Sequence, residues 1–179
     1  MMSTEHSPRY ESAISDLLAA QCKSPQPHTI FRALDQVMGD EIGHILFTVL
    51  YQHQQPRELE RLYTNQPEAY PVSGRKQIVP SAWTEQLLDR GEPYIGVDAN
   101  DIRAAFPDHK TIEELGCASV LNIPLIYDGA ILGSVNLLHE EGFYKPHHIA
   151  PARLFASFAL PAMVRAWRTG RSSRWEKSC

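Results

Sequence analysis

The sequence predicts an α/β sandwich. One central antiparallel sheet of five to six strands has the terminal helices on one face and short helices plus loops on the other. Three observations support this fold class. A long apolar hairpin lies within residues 115–141, amphipathic helical patterns occupy both ends of the chain, and a mixed segment fills residues 80–115. An apolar sheet must be covered by other elements, so the helices and the mixed segment are predicted to form the outer layers.

The hairpin carries the strongest of these signals. Asp128-Gly129 separates its two arms and favours the positive φ angles of a tight type I′ turn. Both arms are apolar at nearly every position, which is typical of strands that are buried on both faces. The hairpin is therefore predicted to lie in the middle of the sheet. Its apolar residues are Val120, Leu121, Ile123, Leu125 and Ile126 on one arm, and Ile131, Leu132, Val135, Leu137 and Leu138 on the other.

Amphipathic helices are predicted at both ends of the chain. Ser7-Pro8 has the pattern of a helix start, and a second helix is predicted to end at Gly39. A long helix is predicted over residues 147–168, with a kink at Pro161 because proline removes one helical hydrogen bond. The apolar positions of these helices recur with helical spacing. They include Tyr10, Ile14, Leu17, Leu18, Ile30, Leu34, Val37, Met38, Leu154, Phe155, Phe158, Met163 and Trp167.

Shorter elements complete the predicted sheet and its cover. Residues 44–52 are rich in β-branched and aromatic residues and predict a strand, and residues 57–63 predict a half-exposed edge strand. Residues 65–79 are predicted to be a loop. Ser81 is placed to cap a short helix that Gly91 ends. A short strand at 94–97 and helical turns at 98–106 and 108–115 follow.

Length and composition limit the function classes. The 179 residues suffice for one substantial core, predicted over residues 24–168, with an N-terminal packing or dimer helix in 1–23 and a basic, disordered tail in 169–179. A net charge of −4 argues against a nucleic-acid-binding face. Neither a secretory signal nor an apolar window of membrane-spanning length is evident, so no membrane association is predicted. Three distant cysteines fit free thiols in a reducing cytoplasm.

Several motifs in combination resemble the GAF family. Residues 93–106, PYIGVDANDIRAAF, are similar to its strand, Asp and short-helix segment. Residues 119–125, SVLNIPL, followed by Asp128-Gly129, Gly133 and Asn136-Leu137, are similar to its central hairpin. The resemblance covers residues 24–168. It implies a PAS-like fold and a small-molecule-binding sensory domain that is commonly dimeric and commonly joined to an output domain.

The chain departs from three patterns within that family. The Asn-Lys-x-Asp motif of its phosphodiesterase-type cyclic-nucleotide binders is not found. Only Cys117 lies near the position of a phytochrome-type chromophore-attaching cysteine, and Cys22 and Cys179 lie far from the region where free methionine sulfoxide reductases place theirs. The residues therefore specify neither a cofactor nor the identity of the ligand. We expect any output to act through a separate protein.

A ligand pocket is predicted between the sheet and residues 80–115. Three predicted polar anchors have structural alternatives: Asp98 as a helix N-cap, Ser119 as a small residue at a close approach, and Asn136 as a buried hydrogen-bonding amide. Trp83 and Phe106 have the alternative of ordinary packing. The predicted ligand-binding residues are Trp83, Tyr94, Val97, Asp98, Ile102, Phe106, Ser119, Leu121 and Asn136.

The first functional prediction is a cytoplasmic ligand sensor without catalytic residues. A homodimer is predicted because the terminal helices have more apolar surface than one sheet face needs. The residues concerned are Tyr10, Leu17, Phe155, Met163 and Trp167. Ligand binding is expected to order the pocket cover or to change the dimer interface.

Two alternatives belong to other classes. An enzyme acting on a polar metabolite in the same pocket would use Cys117, Asp98 and His139, the best available nucleophile and acid–base groups. A pure interaction module would have no cavity at all. No metal site is predicted, because His147-His148 are adjacent and lack a supporting ligand at a suitable spacing.

Overall fold

A computed structural model describes residues 10–72 and 74–169 of the chain. In chain order its helices and strands are α1 (Glu11–Gln21), α2 (His28–Glu41), β1 (Leu46–Gln54), β2 (Arg57–Thr64), β3 (Arg75–Gln77), α3 (Ala82–Thr84), a π-helical turn (Glu85–Asp89), β4 (Tyr94–Gly96), α4 (Ala99–Ala105), α5 (His109–Glu114), β5 (Ser119–Tyr127), β6 (Ala130–His139), a 3₁₀ turn (Pro146–His148), α6 (Ile149–Ala156), a second 3₁₀ turn (Ser157–Ala159) and α7 (Leu160–Thr169).

The described strands form one sheet in the order β3-β2-β1-β6-β5-β4, and every pairing is antiparallel. The hairpin of β5 and β6 lies inside the sheet, between β1 and β4. Its turn has φ angles of 50° at Asp128 and 72° at Gly129, as a type I′ turn requires. The predicted fold class, with a central hairpin in an antiparallel sheet, is confirmed.

A β-bulge sets the register of the central hairpin. Leu125 pairs with Gly133 and Ile126 pairs with Ile131, so Leu132 is an extra residue on β6. Gly133 has a φ of 154°, and a Cβ atom there would lie 1.9 Å from the carbonyl oxygen of Leu50 on β1. Only glycine fits this close approach of β6 to β1. Because side chains alternate between faces, the extra residue decides which residues of β6 lie opposite those of β5.

The first face of the sheet, which we call the helix face, packs against α1, α2, α6 and α7. Alternate residues of the strands meet apolar residues of these helices in one continuous core. Phe155 of α6 is fully buried, and its ring meets the ring of Tyr10 edge-on at 5.4 Å. The strand residues of this core include Phe47, Val49, Leu121, Ile123, Val135 and Leu137.

The second face lies under residues 66–72 and the parts of residues 74–115 that are outside β3 and β4. We call this cover the lid and this face the lid face. Leu46, Val120 and Leu138 pack there against Ile102 and Ile112 of the lid. The buried members of a second small cluster, Trp83, Leu87, Leu88 and Ala105, all belong to the lid, and Leu59 of β2 and Tyr94 of β4 pack against them. The lid face therefore has two small apolar clusters where the helix face has one large core.

Two predictions about the edges of elements are wrong. Helix α2 does not end at Gly39 but continues to Glu41, and the amides of Ile42 and Gly43 both donate to the carbonyl of Met38 to close it. Gly43 supplies the positive φ of 99° that ends the helix. Strand β2 is not the edge of the sheet either, because β3 pairs with it inside the region predicted to be a loop.

The C-terminal helix is interrupted where the sequence predicts a kink. A 3₁₀ turn at Ser157–Ala159 separates α6 from α7, just before Pro161. Proline has no N–H to donate to the carbonyl four residues earlier, which explains the loss of regular α-helical bonding there. The predicted helix start at Ser7-Pro8 and most of the predicted tail lie outside the described residues.

The helical run Pro146–Trp167 is long and apolar enough to cross a membrane, by length and composition only, contrary to the sequence expectation. The core helix of a soluble protein passes the same test. Here Phe155, Ala159 and Met163 are fully buried on the helix face of the sheet. The run is therefore weak evidence for a membrane span.

Candidate functional site

A cavity of about 340 Å³ lies between the lid and the lid face of the sheet. Its floor is formed by side chains that point away from the helix core. Leu46, Thr48 and Leu50 on β1 alternate with the core residues Phe47 and Val49, so one strand serves both layers. The walls come mainly from the lid, and most of the surface that lines the cavity is apolar.

Two aromatic residues of the lid form one wall of the cavity. The rings of Trp83 and Phe106 meet at 61° with centroids 5.1 Å apart. Ser81 caps the short helix that positions Trp83: its hydroxyl accepts from the Thr84 amide, and the Thr84 hydroxyl accepts from the Ser81 amide. Leu87, on the following turn, is fully buried and anchors this part of the lid.

A row of polar side chains crosses the floor of the cavity. The Trp83 indole N–H donates to Asn122 Oδ1 at 2.9 Å, and Asn122 Nδ2 donates to Asn136 Oδ1 at 2.6 Å. Asn136 Nδ2 donates to Thr48 Oγ1 at 3.1 Å, and Ser134 donates to Asn136 Oδ1 at 3.0 Å. Asn122 and Asn136 are direct cross-strand partners, as are Asn136 and Thr48. The row holds the lid tryptophan to three adjacent strands.

Three of the predicted ligand-binding residues line the cavity: Trp83, Phe106 and Asn136. Asn136 is 4% exposed and has hydrogen-bond partners for both atoms of its amide. The sequence argument that this amide must find partners is therefore met within the protein. Asn136 also lines the cavity, so its structural role is compatible with the predicted contact to a ligand, which stays a prediction.

The other predicted polar anchors have local structural roles. Asp98 is the N-cap of α4, and its Oδ1 accepts from the amides of Asn100 and Asp101 at 2.8 and 3.0 Å. The fully buried Ser119 hydroxyl donates to the Gly96 carbonyl and accepts from the Tyr144 amide. Neither side chain is part of the cavity lining.

Four predicted apolar wall residues also lie away from the lining. Leu121 points into the helix core, because it alternates with Asn122 on β5. Ile102 is a fully buried residue of the lid itself, and Tyr94 packs against both apolar clusters of the lid face. Val97 is 44% exposed at the surface.

A charged cluster of Arg61, Tyr70, Lys76 and Asp108 lines part of the cavity, and the sequence analysis does not predict it. The Arg61 guanidinium lies over the Tyr70 ring, with its carbon 4.4 Å from the ring centroid, and Nη1 donates to the Pro71 carbonyl at 2.9 Å. The Tyr70 hydroxyl and Lys76 Nζ each donate to Asp108 Oδ2 at 2.8 Å. Arg61, Lys76 and Asp108 all line the cavity.

Burial and pairing shift the pKa values of three residues in this charged cluster. Burial raises the pKa of Asp108, but the hydrogen bonds from Lys76 and Tyr70 outweigh it, and the net pKa lies below the usual value. Burial, followed by the nearby charge of Asp108, raises the pKa of Tyr70, so its hydroxyl is a donor at neutral pH. Burial lowers the pKa of Arg61, although a guanidinium remains charged in proteins.

The three residues proposed for an enzyme lie outside the cavity lining. Cys117 is fully buried, and burial raises the pKa of its thiol to about 11, which disfavours the reactive thiolate. The His139 ring stacks on Phe143 at 3.7 Å. Asp98 caps a helix, as described above. Within residues 10–72 and 74–169, no three His, Cys, Asp or Glu side chains are grouped so that they could hold a metal ion.

Solved structures similar to this chain are GAF domains and related proteins. The GAF domain of a phosphoenolpyruvate-protein phosphotransferase from Coxiella burnetii has 16% identity and a TM-score of 0.70 over 89% of this chain and 95% of that chain. The equivalent Acinetobacter domain has 10% identity and a TM-score of 0.73 over 93% and 99%. A free methionine-R-sulfoxide reductase from Neisseria meningitidis, solved with its substrate, has 13% identity and a TM-score of 0.59 over 91% and 92%.

No protein-family model and no curated protein sequence matches the chain. The structural likeness is nevertheless close along almost the whole length of the chain and of the solved domains. The chain therefore has the GAF-domain fold, as its motifs predict.

Proposed function

We propose that this chain is a small-molecule-binding sensory domain and that its ligand occupies the cavity under the lid. The supporting observation is the cavity itself: its volume of about 340 Å³ is within the usual range for ligand sites, and its apolar walls carry a few convergent polar groups. The GAF fold of the chain agrees with this proposal, because a domain from a sensor histidine kinase has the same fold.

The proposed signal is a change in the lid. Trp83 is bonded to the floor through Asn122, and Tyr70 is bonded to Asp108 of the lid, so a ligand that contacts either residue acts on the position of the lid. A ligand shifts such an equilibrium only by its different affinity for the two states. We propose that a separate output protein contacts the lid surface and that the domain acts in the cytoplasm, where the thiols of Cys22 and Cys117 stay reduced.

We do not propose catalysis by this chain. A neighbouring fold belongs to a reductase, but the best nucleophile and acid–base groups of this chain, Cys117, Asp98 and His139, do not line the cavity. An acid, a base or a nucleophile must reach the reacting atom within hydrogen-bond distance.

Cavity occupancy can be tested with a matched pair of proteins. Leu59 lines the cavity and is only partly buried, so Leu59→Trp is expected to fill part of the cavity while β2 keeps its pairing. A thermal-shift screen of metabolites should find compounds that raise the Tm of the wild type and leave Leu59→Trp unchanged, because a ligand of the native state stabilises by mass action. Mass spectrometry of denatured, freshly purified protein should identify a co-purified molecule from the same class.

The proposal fails if no metabolite shifts the wild-type Tm and the denatured protein releases no small molecule. Equal shifts in the two proteins would place the binding site elsewhere on the surface. Cooperative thermal unfolding of Leu59→Trp is the control for correct folding.

A homodimer is a separate proposal, and its basis differs from the sequence argument. Leu17, Phe155 and Met163, which suggest surplus apolar surface in the sequence, are fully buried in the core of one chain. Leu18, Leu154 and Trp167 are 52%, 41% and 41% exposed on the terminal helices, and we propose that a second copy covers them. Light scattering should show a dimer that Leu154→Glu converts to a monomer. A wild-type monomer at micromolar concentration would contradict the proposal.

A further inference from the structure

Arg61 is the least neutralised charged group around the cavity. Four charged side chains line it: Arg61, Lys76, Arg103 and Asp108. Lys76 is ion-paired to Asp108 at 2.8 Å, and Arg103 is ion-paired to Glu113 at 2.8 Å. Arg61 forms no ion pair within the described residues; its electrostatic partners Tyr70 and Asp108 are already bonded to each other, and Asp108 is also bonded to Lys76.

The edge of the Arg61 guanidinium that remains unbonded is the one suited to an oxyanion. Nη1 is bonded to the Pro71 carbonyl, and the face of the group lies on Tyr70. Nε is buried and has no hydrogen-bond partner among residues 10–72 and 74–169. A buried donor without a partner costs free energy, and the Nε–Nη2 edge of arginine matches two oxygen atoms of a carboxylate or phosphate.

The rest of the cavity fits an apolar body next to this charge. Trp83 and Phe106 form an aromatic wall, and Leu46, Leu138 and Ile112 supply aliphatic surface. The polar row of the floor is bonded within itself, so it offers few unsatisfied groups to a polar ligand. A sugar or another polyhydroxylated compound would find few partners here, whereas a compound with one acidic end would find Arg61.

We infer that Arg61 binds the acidic group of the ligand and that the ligand is a small organic anion with an apolar or aromatic body. This inference rests on the proposed function, because it assigns the chemical class of ligand for the same cavity. Arg61 acts through a bidentate contact, and its charge draws the acidic group to one end of the cavity. The Tyr70 ring and the Pro71 carbonyl hold the guanidinium in place.

Two fluorescent probes separate the role of the cavity from the role of Arg61. Anilinonaphthalene sulfonate has an aromatic body and one acidic group, and N-phenylnaphthylamine has a closely similar body without the acid. The wild type should bind the anionic probe about tenfold more tightly, because a charge-assisted hydrogen bond contributes that much. Arg61→Met should remove this preference and leave binding of the neutral probe unchanged.

Matched controls separate the loss of the site from the loss of charge. Arg90→Met removes the same charge from an exposed arginine that is paired with Glu85 and Glu92 outside the cavity, so it should keep the preference. Arg61→Lys keeps the positive charge but lacks the planar guanidinium, so it should keep part of the preference for the anionic probe. Leu59→Trp should weaken both probes. Cooperative thermal unfolding shows that each variant is folded.

Each outcome decides between the two levels of the proposal. If the wild type binds both probes with equal affinity, or if Arg61→Met keeps the preference, the inference is overturned and the proposed function stands with a neutral ligand. If neither probe binds the wild type, or if Leu59→Trp binds both unchanged, the cavity is not a ligand site and both proposals fail. The wild-type comparison holds even if Arg61→Met does not fold.

Competition shows which acidic group the site takes. Naphthoate and naphthyl phosphate should each displace the anionic probe from the wild type, and neutral naphthylmethanol should be about tenfold weaker. A stronger effect of naphthoate would indicate carboxylic acids, and a stronger effect of naphthyl phosphate would indicate phosphate esters. Equal displacement by all three compounds would overturn the inference.

Discussion

The two faces of the sheet differ although the same strands form both of them. The helix face is lined by side chains such as Leu121 and Val135 and packs into the largest apolar core. The lid face places Asn122 and Asn136 directly beside these residues, one position along each strand, and the cavity lies over them. One layer supplies the stability of the fold, and the other carries the polar groups and the space that a ligand needs.

The largest expected difference between the faces is in the cost of removing an aromatic ring. Phe155→Ala in the helix core should lower the free energy of unfolding by about 3–5 kcal/mol, the usual cost for a fully buried phenylalanine. Phe106→Ala beside the cavity should cost about half as much, because Phe106 is only partly buried and already borders open space. Urea denaturation of both variants measures the difference, and equal losses would show that the lid face is packed as tightly as the helix face.

Substitutions in the polar row should lower the free energy of unfolding by less than substitutions in the helix core. Their effects should, however, be strongly coupled to each other. Asn136→Ala removes a hydrogen-bond partner from Asn122, Ser134 and Thr48 and should lower stability by about 1–3 kcal/mol. In a double-mutant cycle, Asn122→Ala and Asn136→Ala together should cost less than the sum of the single changes, since they remove one interaction twice. Additive losses would mean that the two amides act independently.

Asp108→Asn tests how much the charge of this lid carboxylate stabilises the fold. The substitution should lower the free energy of unfolding by about 1 kcal/mol at neutral pH. The pKa of Asp108 is lower in the folded state than in the unfolded state, so the carboxylate stabilises the fold above its usual pKa of 3.8. That contribution is lost as the pH falls through the folded-state pKa. The stability difference between wild type and variant should therefore shrink in urea titrations as the pH is lowered below 3.8. A difference that is independent of pH would rule out a charge effect.

The smallest expected effect is that of replacing Lys76, the exposed partner of Asp108 in their ion pair. Lys76 has a side chain that is 59% exposed, and exposed ion pairs contribute about 0–1 kcal/mol. Lys76→Met should change the free energy of unfolding by less than about 0.5 kcal/mol, and added salt should reduce the effect further. A loss as large as that of Asp108→Asn would mean that Lys76, rather than Tyr70, is the main partner of the carboxylate.

The sequence predicts the helix face better than the lid face. Apolar periodicity is a direct consequence of burial in one large core, so the terminal helices and the central hairpin follow from it. Strand β3 is missed because its three residues are polar and exposed and leave no apolar pattern. Arg61 is missed because a charged residue on a half-exposed strand is typical of a solvent-facing position.

The position of Asn122 illustrates a second limit. Its neighbours in the hairpin depend on the bulge at Leu132, and a regular two-residue hairpin would place it opposite Val135 instead of Asn136. This bulge lies where Gly133 closely approaches Leu50 of a third strand, and that contact is not local in sequence.

Gly133 also has a consequence for how the binding properties of this domain can change. Gly133 does not itself line the cavity, yet its close contact with Leu50 determines which row of β6 side chains becomes the cavity floor. Substitutions in the lid can therefore alter ligand preference one position at a time while the cavity floor stays the same. A side chain at position 133 would instead change, in a single step, which side chains of β6 face the cavity. This glycine therefore constrains the evolution of the domain without taking part in ligand recognition.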